Sequence, residues 1–503
     1  MTSLTRRDAL YALLSASIGG VLPARPQDPS SATSSATRIE RHDFEPVRDR
    51  ILKATASGTA TGVAVAHNGK IVWEEGFGWA NREAPIKATS RTPFNLASLT
   101  KPFTTTTLMT LVAEGKLSLD GPANNYLAKS KIVGTNGNAD AATVRMLGAH
   151  VSGLPTMFAI CDRNKANLAL SSDELLTEYG SLAFPPGSCY EYSNIGFAAL
   201  SAIASNLTGV EFGTLLTQRV LTPLGLDDSF FGANSVRVPT GAVRYDSSGS
   251  PIPGYTTATP ASGELYASAH DLARFAMFNM KHRDRRQILD DRWIDELHKP
   301  VFVGPSGVAT TFGWFTGNLK SGHQIIFKIG GQPGVATAFY MVPSEDLACL
   351  VLTNRSDGRE LCSSVCNEIL SSYLPEWRQP DETSGPSPSP FVITPGLGGS
   401  WQGTLTNGGA KMQVRLNLES SESATLQLDE KPAEKITELH LEGVGFTGAS
   451  TGLIESPDAL RSGAKTLSLK LIPHEGMLVG RILATDSKTV MLPYILSLNR
   501  ASV

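Results

Sequence analysis

The sequence has few cysteines, little net charge and no long apolar run. Five cysteines in 503 residues are too few for a disulfide scaffold, and we expect buried thiols, although Cys161 and Cys189 could pair. A net charge of −3 excludes a basic nucleic-acid-binding protein of the usual kind. Neither His-Glu-x-x-His nor Cys-x-x-Cys occurs, so we expect no metal and no cofactor. With 41% hydrophobic residues, the chain can form a large globular core.

The N-terminus has the features of an export signal. Arg6 and Arg7 precede an apolar run over 11–22, which resembles a twin-arginine signal. The run is interrupted by two glycines and is too short to span a bilayer. We therefore predict a removable signal at 1–25, a periplasmic or secreted protein, and no stable membrane span once the signal is removed. The alternative is a frayed cytosolic N-terminus.

Two shifts in composition divide the rest of the chain. A Ser/Thr/Ala/Pro-rich stretch predicts a linker at 26–40, and a Pro/Ser/Gly-rich stretch predicts a second linker at 377–399. A large block at 41–376 lies between them, and a module of different character follows at 400–503. We therefore expect one large domain and one smaller domain.

The block at 41–376 combines strands at both ends with helices in the middle. This pattern predicts an α/β (α+β) fold, in which an antiparallel sheet is flanked by terminal helices and interrupted by a helical insert. Asn68-Gly69 is a strong hairpin signal, and a helix from Asn194 should end at Gly209. Strands are predicted over 311–319, 324–329, 336–342 and 347–353, and a last helix over 359–374.

The module at 400–503 is rich in period-two alternation. Apolar residues alternate with polar ones over 412–418 and again over 467–471, which is typical of half-buried strands. Gly399-Ser400-Trp401 resembles the Gly-x-Trp that opens lipocalin-type barrels. We predict a small antiparallel β-barrel of lipocalin-like form.

Ser98-Leu99-Thr100-Lys101 is the first candidate catalytic motif. Residues three apart share a helix face, so the Lys101 amine can reach the Ser98 hydroxyl. A serine at a helix start also meets the positive end of the helix dipole and free backbone N–H groups. A hydroxyl needs a base to become a nucleophile, and a desolvated Lys101 with a lowered pKa could serve. The alternative is a helix-capping serine beside a solvated lysine, and a second Ser-x-x-Lys occurs at 462–465.

Tyr192-Ser193-Asn194 is the second motif and the only Tyr-x-Asn in the chain. A phenol near lysines can transfer protons between a nucleophile and a leaving group. The Asn194 amide can donate a hydrogen bond to a substrate carbonyl. The alternative is a structural Tyr192, buried with its hydroxyl satisfied.

Lys328-Ile329-Gly330-Gly331 ends an apolar strand and is the third motif. A cation at a strand end can bind an anionic substrate group or stabilise a nearby phenolate. Glycines allow the backbone to approach closely and offer N–H groups to an oxyanion. We prefer Lys328 to the rival Lys320, which is predicted to lie in a turn between two strands.

In this order, the three motifs resemble the penicillin-recognising serine hydrolases, which comprise class C β-lactamases, low-molecular-weight penicillin-binding proteins and related esterases. The resemblance extends over about 44–374. The site residues that it implies are Ser98, Lys101 and Tyr192 for catalysis and Asn194, Lys328, Gly330 and Gly331 for substrate binding.

The same resemblance implies a mechanism. Ser98 forms the acyl-enzyme, Lys101 and Tyr192 share the acid–base work, and the N–H groups of Ser98 and Gly331 form the oxyanion hole. Whether Lys101 or Tyr192 is the acylation base stays open. We therefore expect an exported serine hydrolase that acts on an ester, amide or β-lactam. Its partners are small-molecule or peptide substrates, with peptidoglycan among the candidates.

One departure from the family pattern bears on the substrate. Many relatives carry threonine or serine where this chain has Ile329. The missing hydroxyl would have helped to bind a substrate carboxylate, so the departure favours a less anionic ester or amide.

Two alternatives compete with this interpretation. The chain could be a catalytically silent scaffold that binds a ligand through its C-terminal β domain. Alternatively, Gly-x-Ser-x-Gly at 448–452 could be a nucleophile elbow in which Ser450 acts with Asp458 and His474. The elbow requires a strand–turn–helix setting, which the sequence around 450 does not predict.

Overall fold

The computed structural model describes residues 43–501, apart from 163–169, 233–234, 283–287, 381–388, 395, 408–409, 421–422, 453, 455–465 and 486–489. The predicted signal at 1–25 and first linker at 26–40 lie outside these described residues. Among the residues described, no single helix is long and apolar enough to cross a membrane. Asn194–Thr208 and Phe212–Leu224 meet that criterion only when taken together across an 80° bend.

The α-helices that the structure describes all lie in the first three quarters of the chain. Their bounds are α1 (Glu45–Thr55), α2 (Thr100–Ala113), α3 (Val144–Gly148), α4 (Ser172–Tyr179), α5 (Asn194–Thr208), α6 (Phe212–Leu216), α7 (Thr222–Leu224), α8 (Pro260–Gly263), α9 (Ala269–Asn279), α10 (Asp291–His298) and α11 (Arg359–Tyr373). A π-helical turn, Thr217–Leu221, joins α6 to α7. Short 3₁₀ turns occur at Ala97–Leu99, Ala123–Asn125, Ala139–Ala141, Val238–Thr240 and Pro343–Glu345.

The strands fall into two groups along the chain. The first group is β1 (Ala60–His67), β2 (Lys70–Asn81), β3 (Ile86–Lys87), β4 (Phe94–Asn95), β5 (Phe158–Asp162), β6 (Phe230–Phe231), β7 (Tyr255–Thr257), β8 (Leu265–Ala267), β9 (Phe302–Val303), β10 (Ala309–Thr310), β11 (Phe315–Asn318), β12 (Gln324–Gln332), β13 (Val335–Val342) and β14 (Leu347–Thr353). The second is β15 (Ser389–Pro390), β16 (Gly399–Asn407), β17 (Ala410–Leu418), β18 (Ala424–Leu428), β19 (Glu434–Lys435), β20 (Thr437–Glu442), β21 (Gly445–Thr451), β22 (Thr466–His474), β23 (Met477–Thr485) and β24 (Val490–Arg500).

Nine strands form the first sheet, in the order β3-β2-β1-β14-β13-β12-β11-β10-β9. Its neighbouring strands are antiparallel. The predicted hairpin between β1 and β2 is present, and Asn68 (φ 51°) and Gly69 (φ 69°) adopt the left-handed backbone that a tight hairpin turn requires. β4, β8 and β6 form a separate small sheet.

Helices cover both faces of the first sheet. Successive residues of β1 alternate between the two faces, so Val63 and Val65 enter one apolar cluster and Ala64 enters the other. The terminal helices α1 and α11 pack in the first cluster. The helical insert supplies most of the second, in which the Phe103 and Phe275 rings stack at 3.8 Å between centroids. The predicted sheet with flanking helices and a helical insert is therefore confirmed.

One predicted strand in this sheet is too long. The expected strand over 311–319 begins only at Phe315, where β11 starts. Before it, the Thr311 N–H donates to the Trp314 carbonyl at 3.0 Å, and Gly313 has φ 93°, so the chain turns. The alternating pattern continued through a turn because its apolar residues are buried against the helical insert, Phe312 beside Gly148 and Trp314 stacked on Phe275.

The predicted helix from Asn194 is confirmed as α5, and both of its ends follow from local chemistry. Ser193 caps the N-terminus, since its Oγ accepts a hydrogen bond from the Gly196 N–H at 3.0 Å. Gly209 ends the helix with φ 70°. The helix therefore begins one residue after the cap and directs Asn194 into the protein.

The second sheet contains the C-terminal strands in the order β15-β20-β21-β22-β23-β24-β16-β17-β18-β19. It is an antiparallel half-barrel whose inner face is filled by apolar side chains such as Leu416, Leu469 and Leu496. The predicted antiparallel domain is therefore confirmed. Among the described strands, β15 and β19 are the two ends of the ladder and do not pair with each other, so the ladder does not close into the expected barrel.

The second sheet also takes in two strands from the first block. β5 pairs with β24 through Phe158↔Met491 and Ala159↔Val490, and β7 pairs with β5. Part of the predicted second linker belongs to this sheet too, because β15 pairs with β20 and Phe391 packs on Phe446 at 5.4 Å between ring centroids. The two domains therefore share a continuous sheet.

The cysteines are thiols in this structure. Cys161 and Cys189, the candidate pair, are half-buried and do not form a disulfide. The other three lie in the cluster beneath the first sheet, where the Cys349 and Cys366 sulfur atoms are 3.7 Å apart and Cys362 donates to the Ala336 carbonyl.

Candidate active site

Ser98 lies in the 3₁₀ turn Ala97–Leu99, which runs directly into α2. Ala97 has a left-handed backbone (φ 47°), which costs a residue with a β-carbon about 1–2 kcal/mol. Asn95 stabilises the turn, because its Oδ1 accepts a hydrogen bond from the Ala97 N–H at 2.9 Å. This strained turn holds the half-buried Ser98 hydroxyl at the helix start, where backbone N–H groups have no helical partner.

Lys101 is fully buried and its amine lies beside Ser98. The distance from Lys101 Nζ to Ser98 Oγ is 3.2 Å. The same nitrogen donates to Asn194 Oδ1 at 2.9 Å and to the Ser262 carbonyl at 3.1 Å. These partners are neutral, so burial without a carboxylate holds the pKa of Lys101 well below its ordinary value, and the charge of Lys328 lowers it further. A neutral amine keeps two N–H donors for Asn194 and Ser262 and directs its lone pair at Ser98.

Tyr192 approaches Ser98 from the other side. Its hydroxyl lies 2.7 Å from Ser98 Oγ, which is a short and strong hydrogen-bond distance. Burial raises the pKa of Tyr192 above its ordinary value, and the hydrogen bond to Ser98 opposes this only in part. Lys101 Nζ lies 4.7 Å from the centroid of the Tyr192 ring. Tyr192 is therefore a neutral phenol in the resting site and can donate a proton.

Asn194 is the first residue of α5 and is almost completely buried. Its Oδ1 accepts from Lys101, and its Nδ2 donates to the Met157 carbonyl at 3.2 Å. One of its two amide hydrogens is thus used by the protein itself. Asn194 therefore orients Lys101, in addition to the substrate contact that the sequence predicts for it.

Lys328 lies on β12 and is 1% exposed. Its Nζ has no hydrogen-bond partner among the described residues, and it lies 4.3 Å from the Phe315 ring centroid and 5.6 Å from that of Tyr192. Burial lowers the pKa of Lys328 to about 7. A buried cation without a partner is costly, so Lys328 is available to an anionic or carbonyl group that enters the site.

Gly330 brings β12 against the nucleophile turn. A β-carbon at this position would lie 2.5 Å from the Leu96 carbonyl oxygen and 3.0 Å from the Ser98 nitrogen, so only glycine fits. Gly331 follows and pairs with Ala336 of β13. The ladder between β11 and β12 ends at the pair Phe315↔Phe327, so in the described part of the chain no strand pairs with the other edge of β12 over 328–332. This stretch is an open edge of the sheet.

The structure brings the three sequence motifs together and adds His150, which the sequence analysis did not assign to the site. The His150 ring stacks on Tyr192 at 4.3 Å between centroids, and its Nδ1 accepts from the Ser193 N–H at 3.1 Å. Burial holds the pKa of His150 well below its ordinary value, and positive charge at Lys328 and Lys101 lowers that pKa further. The ring therefore stays neutral. No spacing in the sequence indicates that His150 packs on Tyr192, because the two residues meet only through tertiary packing.

The rival residues lie elsewhere. Lys320 is exposed in the turn between β11 and β12. Ser450 lies within β21, where its Oγ donates to the Lys435 carbonyl at 3.1 Å, and a β-strand is not the strand–turn–helix setting of a nucleophile elbow. Asp458 and the second Ser-x-x-Lys at 462–465 lie outside the described residues. Within the residues described, no group of His, Cys, Asp and Glu side chains could hold a metal ion.

Comparisons with known proteins identify the family of the chain. The profile of the Beta-lactamase family matches residues 48–363, which is more than half of the chain. The chain belongs to the Beta-lactamase family.

Two curated relatives show how far the sequence similarity extends. Protein flp of Staphylococcus aureus (strain MRSA252) is 26% identical over 307 residues, which cover 58% of this chain and 58% of the relative. Beta-lactamase-like protein 2 of Dictyostelium discoideum is 26% identical over 345 residues, or 65% of this chain and 62% of the relative. The chain thus matches less than two thirds of the length of these relatives.

Solved structures extend the likeness to the C-terminal domain. SurE with D-Leu superposes with a TM-score of 0.60 at 20% identity and covers 89% of this chain and 98% of its own. An octameric penicillin-binding protein homologue from Pyrococcus abyssi has a TM-score of 0.57 at 19% identity, and the match covers 90% of this chain and 100% of the homologue. A class C beta-lactamase has a TM-score of 0.55 at 20% identity, and the match covers 66% of this chain and 98% of the β-lactamase. At these identities the likeness is one of fold.

Proposed function

We propose that the protein is an exported serine acyl hydrolase that forms an acyl-enzyme at Ser98. The observation that carries the proposal is the position of Ser98 Oγ, 3.2 Å from Lys101 Nζ and 2.7 Å from the Tyr192 hydroxyl. A nucleophile flanked by a base and an acid can be deprotonated by one and can hand a proton to the leaving group through the other. The N–H groups of Ser98 and Gly331 supply the proposed oxyanion hole.

Lys101 is the proposed acylation base. Its neutral form is favoured by burial and by the charge of Lys328, whereas the raised pKa of Tyr192 disfavours a phenolate. Two groups whose environments drive their protonation states apart take the base and acid roles respectively. Ser98 Oγ attacks the substrate carbonyl and its proton passes to Lys101 Nζ. That proton then reaches the leaving group through the Tyr192 hydroxyl, and water reverses the sequence to release the acid.

The proposed substrate is a weakly anionic ester or amide. Lys328 has a pKa of about 7, so it is only partly charged at neutral pH, and Ile329 offers no hydroxyl to a carboxylate. The open edge of β12 over 328–332 suits an extended acyl group. Two structural neighbours are described as SurE with D-Leu and as a D-stereospecific amidohydrolase, which supports D-configured amides as candidate substrates.

Export is part of the proposal and rests on Arg6, Arg7 and the apolar run after them. An exported hydrolase with this site would meet peptides, peptidoglycan fragments or small esters. A lipocalin-like character of the C-terminal half-barrel is also part of the proposal, supported by Gly399-Ser400-Trp401 at the start of β16.

Ile329→Thr tests the substrate preference. We expect the added hydroxyl to raise kcat/KM for the carboxylate-bearing β-lactam nitrocefin about 10-fold relative to p-nitrophenyl acetate, since one good hydrogen bond to a charged group is worth about 1.5 kcal/mol or more. Ile329→Val is the matched control, because valine has the shape of threonine without the hydroxyl. If Ile329→Thr and Ile329→Val show the same ratio of kcat/KM for nitrocefin to kcat/KM for p-nitrophenyl acetate, the role of residue 329 is contradicted. If the wild-type protein turns over no substrate, the proposed function is contradicted.

The pH dependence of kcat/KM tests the role of Lys328. Its protonated form is the useful one, and its pKa is lowered to about 7, so activity should fall as pH rises through about 7. Lys101 acts as the neutral base, so activity should also fall at acid pH. In Lys328→Arg the alkaline limb should move up by more than one pH unit, because a guanidinium stays protonated. An unchanged alkaline limb in Lys328→Arg would show that another group controls it.

A further inference from the structure

A buried cluster of charges joins the C-terminal domain to the residue beside Tyr192. Arg481 Nε donates to Glu191 Oε1 at 2.7 Å, and Lys470 Nζ lies 3.5 Å from Glu191 Oε2. Lys470 also donates to Glu442 Oε1 at 2.6 Å and to the Tyr190 carbonyl at 2.8 Å. The side chains of Glu191, Lys470 and Arg481 are 5%, 7% and 10% exposed. The cluster therefore lies inside the interface between the two domains.

The two cations are directly opposite each other in the second sheet. Lys470 on β22 and Arg481 on β23 are cross-strand partners, an arrangement that is unfavourable for like charges. Glu442 of the same domain balances one of the charges, and Glu191 of the catalytic domain balances the other. Burial opposes the charge on Lys470, but Glu191 and Glu442 outweigh it and raise the pKa of the ammonium. The C-terminal sheet thus carries two adjacent positive charges that need the carboxylate of Glu191 to balance them.

Glu191 belongs to a segment that is held at each successive residue. The Glu191 N–H donates to the His150 carbonyl at 2.9 Å, and Ser193 is held by its N–H to His150 Nδ1 and by its Oγ to the Pro155 carbonyl. Lys470 holds the carbonyl of Tyr190. Tyr192 lies between these fixed points and reaches Ser98 with its hydroxyl. The catalytic domain restrains one side of the segment, and the C-terminal domain restrains the other.

A second connection reaches Lys101. β5 pairs with β24 of the C-terminal domain and begins at Phe158, immediately after Met157. The Met157 carbonyl accepts from Asn194, and Asn194 accepts from Lys101. Both proposed proton-transfer groups are therefore linked to the C-terminal domain. Tyr192 is linked through its neighbour Glu191, and Lys101 is linked through Asn194, Met157 and β5.

We propose that the C-terminal β domain is a working part of the catalytic centre, in which Lys470 and Arg481 are positioning residues that hold Glu191 and thereby set Tyr192 against Ser98. The inference rests on the proposed function, because it assigns Tyr192 the transfer of a proton to the leaving group. Small displacements of such a group are expensive, since a shift of about 1 Å can lower a rate about 100-fold.

Lys470→Met and Glu191→Gln test the inference from the two sides of the interface. We expect either change to lower kcat about 10- to 100-fold with KM changed less than about threefold. The loss in kcat/KM, which reports acylation alone, should be greater for phenyl acetate than for p-nitrophenyl acetate, because the more basic phenolate needs a proton from Tyr192 as it leaves. Lys470→Arg should retain most of the activity. Lys411→Met removes an exposed lysine from the same domain and is the matched control.

Titration of Ser98 with a fluorophosphonate separates positioning from folding. A merely structural role would lower the fraction of protein that is labelled, whereas a positioning role lowers the rate constant per labelled site. We also expect the double variant Glu191→Gln/Lys470→Met to be no slower than the slower of the two single variants, since both changes break the same contact between Glu191 and Lys470. Wild-type kcat in folded Glu191→Gln, or equal losses with both esters, would overturn the inference. Absence of labelling at Ser98 in wild type would instead overturn the proposed function.

Discussion

Ser98→Ala is expected to abolish turnover, with kcat/KM lowered by about 10⁴-fold or more. The Ser98 hydroxyl lies between Lys101 and Tyr192 and is the group that attacks the substrate in the proposed mechanism. Alanine at residue 98 provides no nucleophile for Lys101 to deprotonate. Binding and the oxyanion donors alone give little rate when the nucleophile of such a unit is removed. The measurement is hydrolysis of p-nitrophenyl acetate together with mass spectrometry of the protein after treatment with a fluorophosphonate.

The control for Ser98→Ala is Ser450→Ala, which removes the serine of the competing elbow motif. Labelling and turnover should survive that change, because Ser450 lies within β21 and bonds to the Lys435 carbonyl. Near-normal cleavage by Ser98→Ala would refute the assignment of the nucleophile. A folded wild-type protein that is neither labelled nor active would instead support the scaffold alternative.

Lys101→Met is expected to lower kcat by about 10³-fold, within the range that a positioned general base contributes. Methionine fills a similar volume but accepts no proton from Ser98. Because Lys101 is buried without a carboxylate, its removal also relieves a desolvation penalty, so the melting temperature should stay the same or rise. Turnover of p-nitrophenyl acetate and thermal unfolding measure the two effects.

Lys101→Arg distinguishes a base from a simple positive charge. A guanidinium cannot be neutral at ordinary pH, so this variant should be about as inactive as Lys101→Met if Lys101 is the base. Retained activity in Lys101→Arg would show that the site needs a cation at residue 101. Lys320→Met removes an exposed lysine and should leave turnover unchanged.

Local patterns in the sequence predicted several elements correctly. The hairpin at Asn68-Gly69 and the helix Asn194–Thr208 follow from residues that specify turn and cap geometry within a few positions. The strand predicted over 311–319 was too long, since its alternation continued through the turn at Gly313. Local patterns also failed to show that β5 and β7 extend the C-terminal sheet, because both are short segments between helices.

The amino-acid sequence specifies the order of the three motifs, the family resemblance and the strand-rich character of the C-terminal module. Which groups carry charge depends on the folded protein. Lys101 and Lys328 lose their ordinary pKa values because distant segments bury them, whereas Lys470 keeps its charge because Glu191 and Glu442 surround it. Spacing along a chain specifies which side chains can meet, but the protonation state of each depends on the whole environment that folding builds around it.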